Sequence, residues 1–105
     1  MEKLTIKITN DVGLHARPAT YFIQLANSFD CSLWVEKSPQ RINGKSLLGI
    51  LSLGIHRGDE ISIIANGTDE KEAIHVLRKY LEADLSDLDK IPDLISELTN
   101  TISEK

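Results

Sequence analysis

The residues best suited to chemistry in this sequence are His15 and Arg17, in a segment that also contains Gly13 and Pro18. A neutral imidazole is nucleophilic at physiological pH, and a guanidinium binds phosphate oxygens through several N–H donors in one plane. If a helix begins at Ala16, its free backbone N–H groups and its dipole favour an anion at the same place. This pattern predicts that His15 accepts a phosphoryl group whose oxygens Ala16 and Arg17 hold. The alternative is that His15 only caps a helix and Arg17 is a surface charge.

Two neighbours of His15 fix the course of the backbone. Gly13 allows a close approach of the chain before the turn, and Pro18 fits only in the first turn of a helix. We therefore expect the helix to start near His15. From Ala16 onward, apolar residues recur at three-and-four spacing and form its buried stripe: Ala19, Phe22, Ile23 and Ala26.

The rest of the chain alternates between the periods of strands and helices. Apolar and polar residues alternate in 4–8, 31–35 and 61–65, which predicts strands with one buried face, and a short strand at Ile42 follows a turn at 38–40. Helical spacing returns in 73–81 and, after Pro92, in 94–102. The order is strand, helix, strand, strand, helix, strand, helix and a tail helix, which is typical of the α+β class.

Two further residues have the chemistry of helix N-caps. Ser46 precedes a short apolar cluster, so its hydroxyl is expected to cap a short helix that turns Ile50 and Leu53 inward. Asp69 lies three residues before Glu72, which is the spacing of a capping box. That spacing predicts the start of the helix that covers 73–81.

Composition excludes several classes of function. The net charge of -4, without a basic stripe, argues against nucleic acid. No apolar run approaches the roughly 20 residues of a membrane span, and the N-terminus lacks a signal core, so we expect a cytoplasmic protein without membrane insertion. Lone Cys31 and three scattered histidines give no metal-ligand spacing, and no cofactor is indicated. Cys31, His56 and His75 are expected to be ordinary side chains, the two histidines exposed.

Two segments together resemble the signatures of a known family. Residues 13–19, GLHARPA, are similar to the active-site signature of the HPr family of phosphocarriers, and residues 45–55, KSLLGILSLGI, are similar to its second signature. The resemblance runs from about Leu4 to Leu85. It implies an open-faced β-sandwich, with an antiparallel four-stranded sheet in order 1-4-2-3 and three helices on one face. Residues 1–85 would form the HPr domain, and residues 86–105 a helical C-terminal extension.

The resemblance also implies a function in the phosphoenolpyruvate-dependent sugar phosphotransferase system. His15 would accept phosphate on Nδ1 from the general first enzyme, phosphoenolpyruvate-protein phosphotransferase, and pass it to sugar-specific IIA components, with Arg17 as its anion partner. Ser46 matches the serine that HPr kinase/phosphorylase modifies, and an apolar patch for partners lies beside His15: Leu47, Leu48 and Leu51. The protein would be a carrier rather than an enzyme.

Two other functions remain open at the level of sequence. The protein could be a regulatory module whose phosphorylated Ser46 docks on a transcription regulator, while His15 is little used. An unrelated ferredoxin-like binding domain would explain the order of elements but not both signatures.

The tail after Leu85 has no counterpart in the family. Trp34 and Ile64 fall on the strand faces that alternation turns outward, where a solvated sheet should be polar. We therefore expect the tail helix to lie across the open sheet face, within the chain or in a symmetric dimer, through one apolar stripe: Leu94, Ile95, Leu98 and Ile102. The alternative is a frayed tail.

Overall fold

The structure is a computed structural model that describes residues 1–11 and 13–103, the last three by their helical backbone alone. Its strands are β1 (Glu2–Lys7), β2 (Ser32–Lys37), β3 (Gln40–Asn43) and β4 (Glu60–Asn66). Its α-helices are α1 (Ala16–Ala26), α2 (Leu47–Leu53), α3 (Glu70–Glu82) and α4 (Ile91–Ser103), and a short 3-10 turn (Leu88–Lys90) precedes α4.

The strands form one antiparallel sheet in the order β1-β4-β2-β3, so the predicted order is confirmed. Ile63 of β4 lies opposite Leu4 on one side and Val35 on the other. All three are buried, as alternation along the strands predicts for the covered face. The helices pack on this face, which confirms the α+β sandwich.

Helices α1 and α3 pack against each other next to the predicted site, and a hydrogen bond links them. Phe22 and Tyr80 are fully buried between them, and the Tyr80 hydroxyl donates a hydrogen bond of 2.7 Å to the carbonyl oxygen of Pro18. Burial raises the pKa of Tyr80, so this hydroxyl keeps its proton and remains a donor. The first turn of α1 is thereby fixed to the core.

The two predicted helix caps have different outcomes. The Ser46 hydroxyl accepts a hydrogen bond from the Gly49 N–H at 3.1 Å, so the predicted cap of α2 is confirmed. Asp69 is the N-cap residue of α3, so the predicted start of this helix is confirmed. The capping-box hydrogen bond is wrong, because the Asp69 carboxylate makes no cap and instead accepts the N–H groups of Asp30 and Cys31, at 2.8 and 3.0 Å. Asp69 thus fixes the chain that enters β2.

The tail helix lies in a different place from the one predicted. Helix α4 packs against α1 and α3, with Ile91 and Leu98 buried in the main core. A crossing of the sheet face within one chain is therefore wrong. The few residues between Glu82 and Leu88 keep the tail on the helical side. The expectation that Ile64 is exposed on the open sheet face is also wrong, because only 5% of its surface is exposed even without a covering helix. The side chain of Ile102 lies outside the described residues.

Candidate functional site

His15 stands immediately before α1 with an exposed ring. Its backbone is extended, with φ -102° and ψ 159°, and its carbonyl accepts the first helical hydrogen bond from the Ala19 N–H at 3.2 Å. Within the described residues its side chain makes no capping hydrogen bond, so the interpretation of His15 as a mere cap has no support. The imidazole is therefore accessible to a reacting group.

The backbone beside His15 suits an anion. The N–H groups of Ala16 and Arg17 belong to the first turn of α1 and lack helical partners, and that turn contains no acidic residue. Ala16 has a φ of 30°, which is strained for a residue with a Cβ. No pattern in the sequence indicates this strain. The predicted anion-binding residues Ala16 and Arg17 thus adjoin the ring in space as well as in sequence.

A cleft of ≈ 750 Å³ opens beside the ring. Arg17 and Arg57 both line it, and the Nη1 of Arg57 donates to the Asp11 carboxylate at 2.7 Å. Ser86 and Leu88 from the tail form part of the wall. The contribution of Arg57, Ser86 and Leu88 to the site was not predicted, because no local pattern relates residues so far apart along the chain.

His56 is a second imidazole at the site. Its ring centroid lies 4.9 Å from that of His15, with the two planes at 62°. The side chain is exposed, as expected, but its position beside His15 was not predicted. The neighbouring Asp59 carboxylate lies 2.9 Å from the Lys37 ammonium, and that contact, followed by the His56 N–H, lowers the pKa of Asp59.

The predicted partner surface lies on α2, which packs against α1. Leu48 is 81% exposed, and Leu47 and Leu51 are exposed to a smaller degree. Ile50 and Leu53 are buried, as their spacing predicts. An apolar patch of this kind is available to a docking protein.

Cys31 is an inert thiol. Its side chain is 3% exposed, and burial, with a further contribution from Asp69, raises its pKa to about 11. Among residues 1–11 and 13–103 no cluster of three or more His, Cys, Asp or Glu side chains could hold a metal ion. In the same residues, no helix has the length and apolarity to cross a bilayer.

Comparison with known proteins gives a consistent result. A family model described as the PTS HPr component phosphorylation site matches residues 2–83. The HPr-like protein Crh of Bacillus subtilis is 36% identical over 85 residues, which are 81% of this chain and 100% of Crh.

Two solved structures are similar in both sequence and fold. The crystal structure of HPr-C-His from Thermoanaerobacter tengcongensis is 46% identical with a TM-score of 0.76, and the match covers 78% of this chain and 92% of that one. The phosphocarrier protein HPr from Bacillus anthracis is 37% identical with a TM-score of 0.75, over 77% and 96% of the two chains.

Proposed function

This chain belongs to the HPr family, and from that premise we propose that it is a cytoplasmic phosphocarrier whose acceptor is His15. It accepts a phosphoryl group from phosphoenolpyruvate-protein phosphotransferase, the general first enzyme of the sugar phosphotransferase system, and passes it to sugar-specific IIA components. The observation that carries the proposal is the exposed His15 ring beside the N–H groups of Ala16 and Arg17, which have no hydrogen-bond partner within the helix.

The transfer is a substitution at phosphorus. The lone pair of His15 Nδ1 forms the new N–P bond while the bond from phosphorus to the donor breaks and its electron pair leaves with the donor. The Arg17 guanidinium and the two backbone N–H groups stabilise the charge on the phosphoryl oxygens. Because these groups are exposed, they bind the phosphoryl group with only moderate strength. The next acceptor can therefore remove it from His15. Turnover belongs to the partner enzymes, so the protein itself is a carrier and not an enzyme.

The exposed patch on α2 suits the docking of these partners. Leu47, Leu48 and Leu51 offer apolar area next to the helix that carries the reacting end, since α1 and α2 pack together. A partner that covers the patch is therefore close to His15. Docking in this way excludes water from the group in transfer.

Ser46 supports a regulatory role by HPr kinase/phosphorylase. Its hydroxyl lies at the N-terminus of α2, where a phosphate is tolerated within the chain because the first backbone N–H groups of a helix and its dipole favour negative charge. The same charge next to Leu47 would weaken docking of an acidic partner. Phosphorylation of Ser46 therefore acts as a brake on transfer to His15.

A second candidate function is that of a regulatory interaction module. A related solved structure is that of Crh, the Bacillus subtilis catabolite repression HPr. In this alternative, phosphorylated Ser46 docks on a transcription regulator and His15 is little used. The accessible His15 ring and its anion-binding surroundings favour the carrier, because a pure docking module has no need of them.

Incubation with phosphoenolpyruvate and the general first enzyme distinguishes the two. The carrier should gain one acid-labile, base-stable phosphate, which His15→Ala abolishes and His75→Ala, on the exposed side of α3, does not. A wild-type protein that gains no phosphate under these conditions would favour the regulatory module.

A further inference from the structure

Backbone contacts hold His56 beside the reacting residue. The Leu14 N–H donates to the Ile55 carbonyl oxygen at 3.1 Å. A Cβ at Gly13 would lie 2.5 Å from that oxygen and 3.1 Å from the His56 Cα, so the two segments meet more closely than a larger residue would allow. The position of His56 next to His15 is therefore a property of the fold.

The turn that follows fixes His56 from its other side. Its backbone N–H donates to the Asp59 carboxylate at 2.7 Å, and the Asp59 N–H donates to the His56 carbonyl at 3.1 Å. The Nδ1 of His56 lies 3.7 Å from the same carboxylate oxygen. That separation is too long for a hydrogen bond, so Asp59 does not hold the ring proton on Nδ1, and Nε2, on the other side of the ring, can carry it toward a ligand in the cleft.

The charges around His56 favour an anion in front of it. Asp59 is paired with Lys37, and Asp11 is paired with Arg57, so both nearby carboxylates are already matched by cations. Arg17 adds a positive charge without an acidic partner in the described residues. The tail contributes Ser86 and Leu88 to the wall of the cleft. The carboxylate of Asp87, which lies between them in the chain, accepts the Asp89 N–H at 3.1 Å and so caps the 3-10 turn.

We propose that His56 binds the phosphoryl group carried on His15 by donating its Nε2–H to a phosphoryl oxygen. The inference rests on the proposed function and adds a binding residue from a separate loop to the family's acceptor segment. Rings whose centroids are 4.9 Å apart leave the oxygens of a phosphoryl group on one ring within reach of a donor on the other. The added donor stabilises the phosphorylated form and shifts the transfer equilibrium toward it.

The test is the equilibrium constant for phosphorylation of His15 by phosphoenolpyruvate and the general first enzyme, with pyruvate present so that the reaction is reversible. His56→Leu should lower this constant by about five-fold, as expected for the loss of one exposed charge-assisted hydrogen bond. His56→Gln should recover most of the loss, because its amide retains an N–H donor. His75→Leu, on the exposed side of α3, is the matched control and should equal the wild type.

The results separate this inference from the function on which it rests. An unphosphorylated wild-type protein would refute the carrier and the role of His56 together. A phosphorylated wild type with an unchanged equilibrium constant in His56→Leu would refute only the role of His56. Equal losses in His56→Leu and His56→Gln would also refute it, because the effect would then not depend on a donor.

Discussion

Arg17 and Arg57 line the same cleft but differ in their ion pairs. Arg57 donates to Asp11 at 2.7 Å, whereas Arg17 has no acidic partner in the parts of the chain that the structure describes. A guanidinium that is already matched by a carboxylate contributes less to the binding of another anion. The two arginines should therefore contribute unequally to phosphoryl transfer, although both are exposed.

We expect Arg17→Ala to slow the phosphorylation of His15 by roughly ten-fold, because a charge-assisted contact with the phosphoryl oxygens is lost. Arg57→Ala should have a smaller effect. Arg17→Lys should have an intermediate effect, because lysine keeps the positive charge but lacks the planar set of N–H donors. The measurement is the initial rate with the general first enzyme. Equal rates for Arg17→Ala and Arg57→Ala would contradict this assignment.

At the scale of elements, Asp69 shows how a loop and a helix are held together. Burial alone would raise its pKa, but the N–H groups of Asp30 and Cys31 outweigh that effect and lower the pKa of Asp69 from its ordinary 3.8. Because the folded pKa is the lower one, the carboxylate stabilises the fold above pH 3.8, and this stability is lost as the pH falls through the folded pKa.

Asp69→Asn tests the contribution of this carboxylate to stability, since the lowered pKa means that its charged form stabilises the fold. The amide cannot accept both N–H groups as a carboxylate does, so the free energy of unfolding at pH 7 should fall by about 1 kcal/mol. The difference from the wild type should shrink as the pH falls below 3.8. Thermal unfolding at several pH values measures both. A difference that is constant down to pH 2.5 would show that the charge of Asp69 is not responsible.

The elements differ in how far the sequence predicts them. The cap at Ser46 follows from local chemistry, since its partner, the Gly49 N–H, is three residues away. Asp69 has the same local pattern, yet its carboxylate bonds to backbone groups nearly forty positions earlier in the chain. The position of His56 likewise depends on the long-range contact between Leu14 and Ile55. Periodicity and capping patterns describe neighbours in sequence, so they cannot predict such contacts.

At the scale of the whole molecule, the tail is part of the core. Its amphipathic pattern predicts that one face is buried, but not which surface it covers. Ile91 and Leu98 join the cluster formed by α1 and α3, on the side of the sheet away from Trp34 and Ile64. The tail also supplies Ser86 and Leu88 to the cleft beside the reacting ring.

Leu98→Ala should therefore destabilise the protein by roughly 2–4 kcal/mol, because the side chain is buried and a cavity would remain. The emission of Trp34 in the folded protein should not change, because α4 does not cover that residue. Leu48→Ala is the control, since a side chain that is 81% exposed contributes little to stability. A shift of Trp34 emission in folded Leu98→Ala would instead place the tail on the sheet face.

The central claim is that His15 accepts the phosphoryl group on Nδ1. Long-range proton–nitrogen correlation spectra of ¹⁵N-labelled protein, before and after reaction with phosphoenolpyruvate and the general first enzyme, test it most directly. We predict that the ring nitrogens of His15 change to the pattern of an Nδ1-phosphorylated imidazole, while the ring of His75 keeps its signals. An unchanged His15 ring, or a phosphoryl group on His56 or His75 in its place, would contradict the account.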